Sequence, residues 1–495
     1  MTTALTAVGL SPQVVAQEAE QAVDGDMEVI VVTTRRKQES LDEIPLAVSA
    51  FGERQFEDLN VLNLRDLGKY VPNLHIGNFG NGNPAHTSVF LRGVGQQDHI
   101  ITVDSGVGIY LDGVYLGRQI GSNLNMANIE RVEVARGPQG TLYGRNNIGG
   151  AINFISKKPT GQDEVTVSLQ GGSRERVKVD FHAATALTDT LFFSMTGQYN
   201  RRGGVGEFLN QPNTDLEVGQ IREGSARAAL NWAPTDDFSL ILTADLTDGS
   251  YGHPPIFFVT DDPTIGPNGL PREAFAEDPF DTASPADNVA GQTSLAYGFS
   301  ATAEYAFNDV FATKFIGSYR SSEYNGGSDQ QDEFGSVVFP EEGQADQFSL
   351  ETQLTGSFDR WDFIVGAYLF NEDGTVLSAP FEIFPGAFTD SGIIDVRQQT
   401  ESYALFGSAS VQLTDRLEIS GGVRHTWDEK NGVAGVTFFP PNALTERRET
   451  WTATTWDASV LYNLTDAVNV YALASRGYQS GGFPARPFGG PDEFV

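Results

Sequence analysis

The residues of this chain with the most chemistry to offer lie close together: His86, Gln96, Gln97, Asp98 and His99 bring imidazoles, amides and a carboxylate into one stretch. Such groups could contact a metal chelate, although isolated loop histidines are commonly just solvated. There are only six histidines, and no two fall at the spacing that holds a metal ion. Nothing matches a nucleophile elbow. The glycines between Gly77 and Gly82 are not followed by a helix, so they read as a loop rather than a phosphate cradle. Catalysis, a resident metal and a cofactor are therefore not expected.

Two other constellations act through backbone and charge. Glu28, Val29, Ile30, Val31, Val32 and Thr33 form a largely β-branched run that resists helix and offers a backbone edge to a partner's sheet. The plainer reading is an ordinary edge strand. Arg92, Arg131, Arg136 and Arg145 are either surface charges or partners for an inward-facing carboxylate, of which Glu351 is the candidate.

These residues must be positioned by two kinds of element. After Pro159 the chain repeats pairs of alternating apolar runs joined by tiny turns and separated by long polar loops. Phe299, Ala301, Ala303, Tyr305 and Phe307 precede Asn308-Asp309, and Phe311, Thr313, Phe315, Gly317 and Tyr319 follow it. The same pattern runs through Phe348 to Phe358 and Trp361 to Leu369, Tyr403 to Leu413 and Leu417 to Trp427, and Trp456 to Leu464 and Val468 to Ala474. Period-two apolarity over about 9 to 11 residues fits a tilted strand crossing a bilayer, one face to lipid and one to a polar lumen. This parity turns Val365 and Ala409 outward and Ser349, Glu351 and Ser408 inward, where polar or charged substitutions should be tolerated. Trp232, Tyr305, Tyr319, Trp361, Trp427 and Trp456 fall near strand ends, as an interfacial aromatic girdle requires.

Residues 42–158 read instead as a small α/β domain. Leu59, Leu62, Leu64, Leu67 and Tyr70 are spaced for helices beginning at Asp58 or Asn60, and Pro72 ends the second. Thr87 to Arg92, Val107 to Leu111, Asn128 to Ala135 and Gly149 to Ile155 read as strands. Asp112-Gly113 predicts a type I′ hairpin turn.

Composition sets the limits. With 54 glycines, 33 phenylalanines and a mean hydropathy of −0.24, the chain has no apolar run long enough for a transmembrane helix, yet a barrel hides in such averages. There is no cysteine, so disulfides and thiolate metal sites are excluded. A formal net charge of −33 argues against nucleic acid or an anionic surface bound through a basic face. Much of the acidity falls in the loops, as between Tyr251 and Thr293. Residues 1–16 resemble the remnant of a secretory signal, with an apolar stretch from Ala4 to Leu10 but no basic start.

Three segments carry a family resemblance: LRGVG (Leu91 to Gly95), GVGIYLDGVYLG (Gly106 to Gly117) and NIERVEVARGPQGTLYGRNNIGGAINFISKKP (Asn128 to Pro159). They resemble the plug of TonB-dependent outer-membrane receptors. Glu28 to Phe51 resembles the TonB box and its link to the plug, and SRGYQSGGF (Ser475 to Phe483) is similar to a barrel segment of that family. The resemblance implies an α/β plug domain inside an antiparallel transmembrane β-barrel, with residues 17–41 as TonB box and linker, 42–158 as plug and 159–495 as partial barrel. It implies residence in the Gram-negative cell outer membrane and energised uptake of a scarce ligand. A ferric siderophore is expected first, with haem, cobalamin or a glycan as other cargoes, and a TonB-type periplasmic energy-coupling protein and outer-membrane lipid as partners. A passive binding or structural barrel is the alternative, and it would have no use for Glu28 to Thr33. His86, Gln96, Gln97, Asp98 and His99 would lie in plug loops facing the extracellular vestibule. About thirteen of the family's twenty-two strands are countable, and an odd, open set cannot close, so the expectation is a piece of a longer receptor.

Overall fold

The computed structural model describes residues 31–484, apart from 62, 80–82, 97, 123, 125–127, 208–215, 255–290, 333–334, 379–381, 384–392, 437–444 and 466–467. Its first part is built on a five-stranded sheet in the order Val48–Gly52, Ile129–Arg136, Gly150–Ser156, Val107–Leu111, Val114–Leu116. Gly150–Ser156 runs parallel to Val107–Leu111 and antiparallel to Ile129–Arg136. The hairpin predicted at Asp112-Gly113 forms, with φ of 52° and 86° at the two positions, the left-handed pair that a type I′ turn demands.

The helices fall differently from the sequence expectation. One spans Glu53–Leu59 and a second, of a single turn, Leu64–Leu67. Asn60 adopts a φ of 53°, which no right-handed helix carries, so the first helix ends where the leucine spacing had suggested one beginning. Asn63 then caps the second by accepting the Arg65 N–H. Leu64 and Leu67, fully buried, join Phe56, Val132, Val134, Ile152 and Phe154 in the core between helices and sheet. A second sheet of Leu74–Phe79, Asn83–Leu91 and Val94–Gly95 packs beside it.

From Glu164 onward, thirteen antiparallel strands follow in sequence order from Glu164–Gly172 to Val468–Arg476, with the short Glu382–Ile383 pairing off this path. Among the described residues the first and last strands pair on one side only. The number agrees with the count made from alternation, but the strands are longer than expected. Gly335–Ser357 has 23 residues, about 75 Å of chain, far more than a bilayer needs. Alternation marks only the segment with lipid on one side. Beyond it the outward residues meet water while inward ones such as Val376, Ile394 and Val396 pack on Ile100 and Ile101, so the outward apolar pattern ends while the ladder continues.

Burial follows the parity read from the sequence. Tyr403 and Leu405 are exposed, whereas Ser402, Ala404 and Phe406 between and beside them are buried. Trp232, Tyr305, Tyr319, Trp361, Trp427 and Trp456 all lie exposed on the outer face. Those nearest the short turns, Tyr305 and Trp361, form one belt with Phe311 and Phe358; Tyr319, Trp427 and Trp456 form another, about eight to ten residues up the strands. At 3.3 Å per residue and a tilt of about 40°, that spacing is roughly 20–25 Å, the height of an outer-membrane barrel's apolar band. On the inner face Gln347, Ser349, Glu351 and Gln353 are buried, because the α/β part fills the lumen against them. Ser349, expected to tolerate a charge, is instead packed and exchanges a 2.8 Å hydrogen bond with Ser318.

Candidate functional site between plug and barrel wall

Chemistry concentrates where the α/β part meets the strands, at three levels. At the short-turn end, Val31 and Val32 pair antiparallel with Ser40 and Glu39. Val32 is wholly buried with Ile44 and Ala50, while Val31 is exposed. The next residues are tied to the five-stranded sheet through one buried carboxylate: Glu133 accepts the Thr33 N–H at 2.7 Å and the Thr33 and Thr34 hydroxyls at 3.0 Å each. Arg131 donates to the same carboxylate at 3.0 Å. Three successive cations then reach the barrel: Arg35 to Glu418 at 3.1 Å, Arg36 to Glu351 at 3.4 Å, and Lys37 to Asp362 at 3.0 Å. Arg36 also lies over the Tyr143 ring. Glu28, Val29 and Ile30 lie outside the described residues.

Midway up, buried charges are balanced across the interface. Lys430 of the wall, with no solvent exposure, donates to Asp104 at 2.8 Å; Arg118 pairs with Glu372, and Arg145 stands 3.8 Å from Asp104 and over the Phe370 ring. Burial by itself would raise the Asp104 pKa, but Lys430, Arg145 and Arg118 outweigh it and hold the carboxyl well below the ordinary range. Gln347 adds neutral bonds, accepting from the Gly117 N–H at 3.0 Å and donating to the Tyr115 carbonyl. Each buried pair contributes little relative to an apolar contact, but removing one partner leaves a buried charge at a cost of about 3–5 kcal/mol. Apolar contacts share the seam, Ile100 and Ile101 packing on Ala345, Val376, Ile394 and Val396 of the wall, so the interface mixes buried ion pairs with a hydrophobic cluster.

At the long-loop end His86 and His99 stack, ring centroids 4.0 Å apart, with the Tyr324 ring edge-on to both. Glu341 of the wall binds His99 and accepts the Tyr324 hydroxyl at 2.6 Å. Both imidazoles are buried, and burial pushes the His86 pKa well down, with His99 and Arg65 acting in the same direction. This corrects the sequence expectation of vestibule loops: His86 belongs to the strand Asn83–Leu91, and both histidines face the wall. Gln96 is also buried, donating to the Asp98 and Val103 carbonyls at 2.6 and 2.8 Å; Asp98 is partly exposed, and Gln97 lies outside the described residues.

Glu351 faces inward as its parity required, yet the arginine that meets it is Arg36, not one of the four proposed. Arg131 pairs with Glu130 and Glu133 of its own sheet. Arg145 meets the wall through the Phe370 ring, and among the described residues Arg92 and Arg136 form no ion pair. The missed partners had a sequence signal: Arg35-Arg36-Lys37 is a run of three cations in an acidic chain, directly after the β-branched stretch.

Comparison with known proteins agrees with this architecture. A TonB-dependent receptor plug domain model matches residues 40–151, and a TonB dependent receptor-like β-barrel model matches residues 242–492. The barrel match alone covers more than half of the 495 residues, and the chain belongs to the TonB-dependent receptor family. The pesticin receptor of Yersinia pestis is 22% identical over 482 residues, 96% of this chain and 67% of that protein. The vitamin B12 transporter of Vibrio vulnificus is 27% identical over 212 residues, 43% of this chain and 34% of that protein. The crystal structure of the ferric yersiniabactin uptake receptor from Yersinia pestis matches with a TM-score of 0.73 at 21% identity, over 90% of this chain and 66% of that one, a likeness of fold. The chain thus spans about two thirds of the length of the relatives it matches almost throughout. The family consists of outer-membrane transport receptors.

Proposed function

We propose that this chain serves energised uptake across a Gram-negative outer membrane, with Glu28 to Thr33 as the segment a periplasmic TonB-type protein grips. The observation that carries this is the double anchorage of residues 33–37: Glu133 holds Thr33 and Thr34 to the plug, while Arg35, Arg36 and Lys37 hold the next residues to three barrel carboxylates. A pull on the exposed edge at Val31 loads both sets of bonds at once, so force on one short strand reaches plug and wall together. A passive barrel has no need of such an attachment. For cargo, a ferric siderophore is the first choice, supported by relatives named as the ferric yersiniabactin uptake receptor and the catecholate siderophore receptor. The vitamin B12 transporter keeps cobalamin as the second reading.

Proline at Val31 tests the coupling, because it removes a backbone donor from the edge a partner strand would join. In the full-length receptor Val31→Pro should leave ligand binding intact and abolish uptake. Normal uptake by that variant would eliminate the coupling role.

A further inference from the structure

The plug is not held evenly around the wall. One firm corner lies where the chain passes from plug to barrel: Ser156 ends the strand Gly150–Ser156, and the first barrel strand begins at Glu164. There the Asp112 carboxylate accepts the Ser156 N–H and hydroxyl, each at 2.8 Å, and pairs with Arg227 of the wall. Arg227 is backed in turn by Asp245 at 3.6 Å. Directly paired positions run Arg227, Asp245, Gly298, Arg320 across four neighbouring strands, and Arg320 reaches over Gly298 to hold Asp245 with two bonds of 2.8 and 3.1 Å. A Cβ at Gly298 would stand 2.5 Å from the Arg320 Nη1, so glycine keeps that reach open. A bidentate pair fixes direction as well as distance, and here it aims Asp245 at Arg227 and Arg227 at the plug.

The last four strands of the wall meet the plug differently. Between them and plug residues 138–142 lies a cavity of about 50 Å³, enough for several water molecules, lined by Ser408, Ser420, Asp457 and Ser459 of the wall and by Thr141 and Leu142 of the plug. The wall hydroxyls bond within the wall: Ser420 and Ser459 share a 2.5 Å bond, and Ser408 donates to the Gly421 carbonyl at 3.3 Å. Asp457 is half-buried and among the described residues forms no ion pair. At the cavity's edge the Thr455 hydroxyl donates to the Gly140 carbonyl at 2.8 Å. The linker supplies another side, since Thr34 and Arg35 line the same cavity, and Arg35 is tied to Ser410 at 2.8 Å and to Glu418 at 3.1 Å.

Tether and handle therefore sit apart. The corner rests on the fourth strand and is backed by the fifth and seventh, whereas the linker cations end on the eighth to eleventh. A pull near one margin of a body fixed at the other turns it, and the widest opening comes at the free margin. Resting on the coupling role proposed above, we infer that the plug turns about the Asp112 corner and that cargo passes between residues 138–142 and the last four strands, along the cavity that Thr34 and Arg35 close. Hydroxyls on this wall exchange bonds with water or a polar cargo at little cost, which buried ion pairs do not.

The test needs neither cargo nor partner. Ala229→Cys, beside the corner, and Ser459→Cys, on the cavity, are matched probes, the native residues being 5% and 4% exposed. The full-length receptor carrying one of them is placed in nanodiscs, and labelling by a membrane-impermeant maleimide dye is followed in urea too dilute to unfold the barrel. Ser459→Cys should label about tenfold faster than Ala229→Cys, because the free margin opens first. Arg35→Gln should speed labelling at Ser459→Cys about fivefold and leave Ala229→Cys unchanged, and Gly298→Ala should do the reverse. In planar bilayers at the same urea, current through the receptor should fall severalfold once Ser459→Cys carries the dye and persist when Ala229→Cys does. Equal rates at the two probes, faster labelling at the corner, or current indifferent to dye at Ser459→Cys would each overturn the route. Should Gly298→Ala fail to insert, Arg320→Gln breaks the same pair and takes its place. Normal uptake by Val31→Pro would refute the coupling role alone, and these rates, measured without a pull, would stand.

Discussion

Glu133 shows how much can rest on one buried side chain. Its carboxylate accepts from the Thr33 backbone, two threonine hydroxyls and Arg131, so it joins the linker to the centre of the plug sheet. Glu133→Ala should leave those donors unsatisfied, at about 1–3 kcal/mol for each that stays buried. Hydrogen exchange at Thr33 and Thr34 should accelerate accordingly, while Glu130→Ala, which removes only the exposed partner of Arg131, should leave it unchanged. Comparable rates in both variants would remove Glu133 from the linker's anchorage. His86 offers a second reading at this scale. Its pKa is lowered by burial, by His99 and by Arg65, so the unfolded state takes up the proton first. The packing of His86 and His99 against Tyr324 and Glu341 is then fully stable above about pH 6.5 and weakens as the pH falls below it. Protection factors of residues 86–91, that is, the intrinsic exchange rate at each pH divided by the observed rate, should fall between pH 7.5 and pH 5.5, and His86→Gln should flatten the dependence. A profile that is the same in both proteins would show that His86 is not the titrating group.

Strands were the most legible elements, and the reason is lipid. A wall with hydrocarbon on one side and polar groups on the other imposes a period of two that sequence displays directly, as Tyr403, Leu405 and Val411 do. Val365→Arg places a charge in that band and should cost about 2–4 kcal/mol in denaturant titrations of the membrane-inserted receptor, against little for Val365→Leu. Equal stability of the two would mean that Val365 does not face lipid. What the sequence concealed lies where this contrast is missing. The outer halves of the long strands lose alternation beyond the bilayer, as in Ser328–Asp332 of the strand Phe311–Asp332. The first plug helix was displaced because Asn60 takes a left-handed conformation that leucine spacing does not reveal. Glu351 was legible as inward, but its partner was not, since pairing across an interface depends on which residues a long-range fold brings opposite one another. Arg36 lies 315 positions away.

Across the whole molecule, the plug is held at three heights by bonds of different kinds. Cations of the linker meet barrel carboxylates near the short turns, Asp104 and Arg118 meet Lys430 and Glu372 midway, and the imidazole pair meets Tyr324 and Glu341 near the long loops. Under the proposed coupling, a pull from the short-turn end meets these contacts one height after another. Polar pairs also re-solvate as they part, which an apolar interface could do only at a cost that grows with the area exposed.

The proposed coupling through the segment before the plug, which requires residues 35–37 to part from the barrel carboxylates during uptake, is open to one direct measurement. The 495 residues contain no cysteine, so Lys37→Cys with Asp362→Cys places the only two thiols among them, at positions whose native side chains lie 3.0 Å apart. The pair is joined by a short bifunctional maleimide, and ligand binding and energised uptake are followed before and after. The account predicts unchanged binding and loss of uptake in the joined receptor, with full uptake when either cysteine alone is labelled. Uptake at the normal rate while the linker stays fastened to the barrel would contradict it.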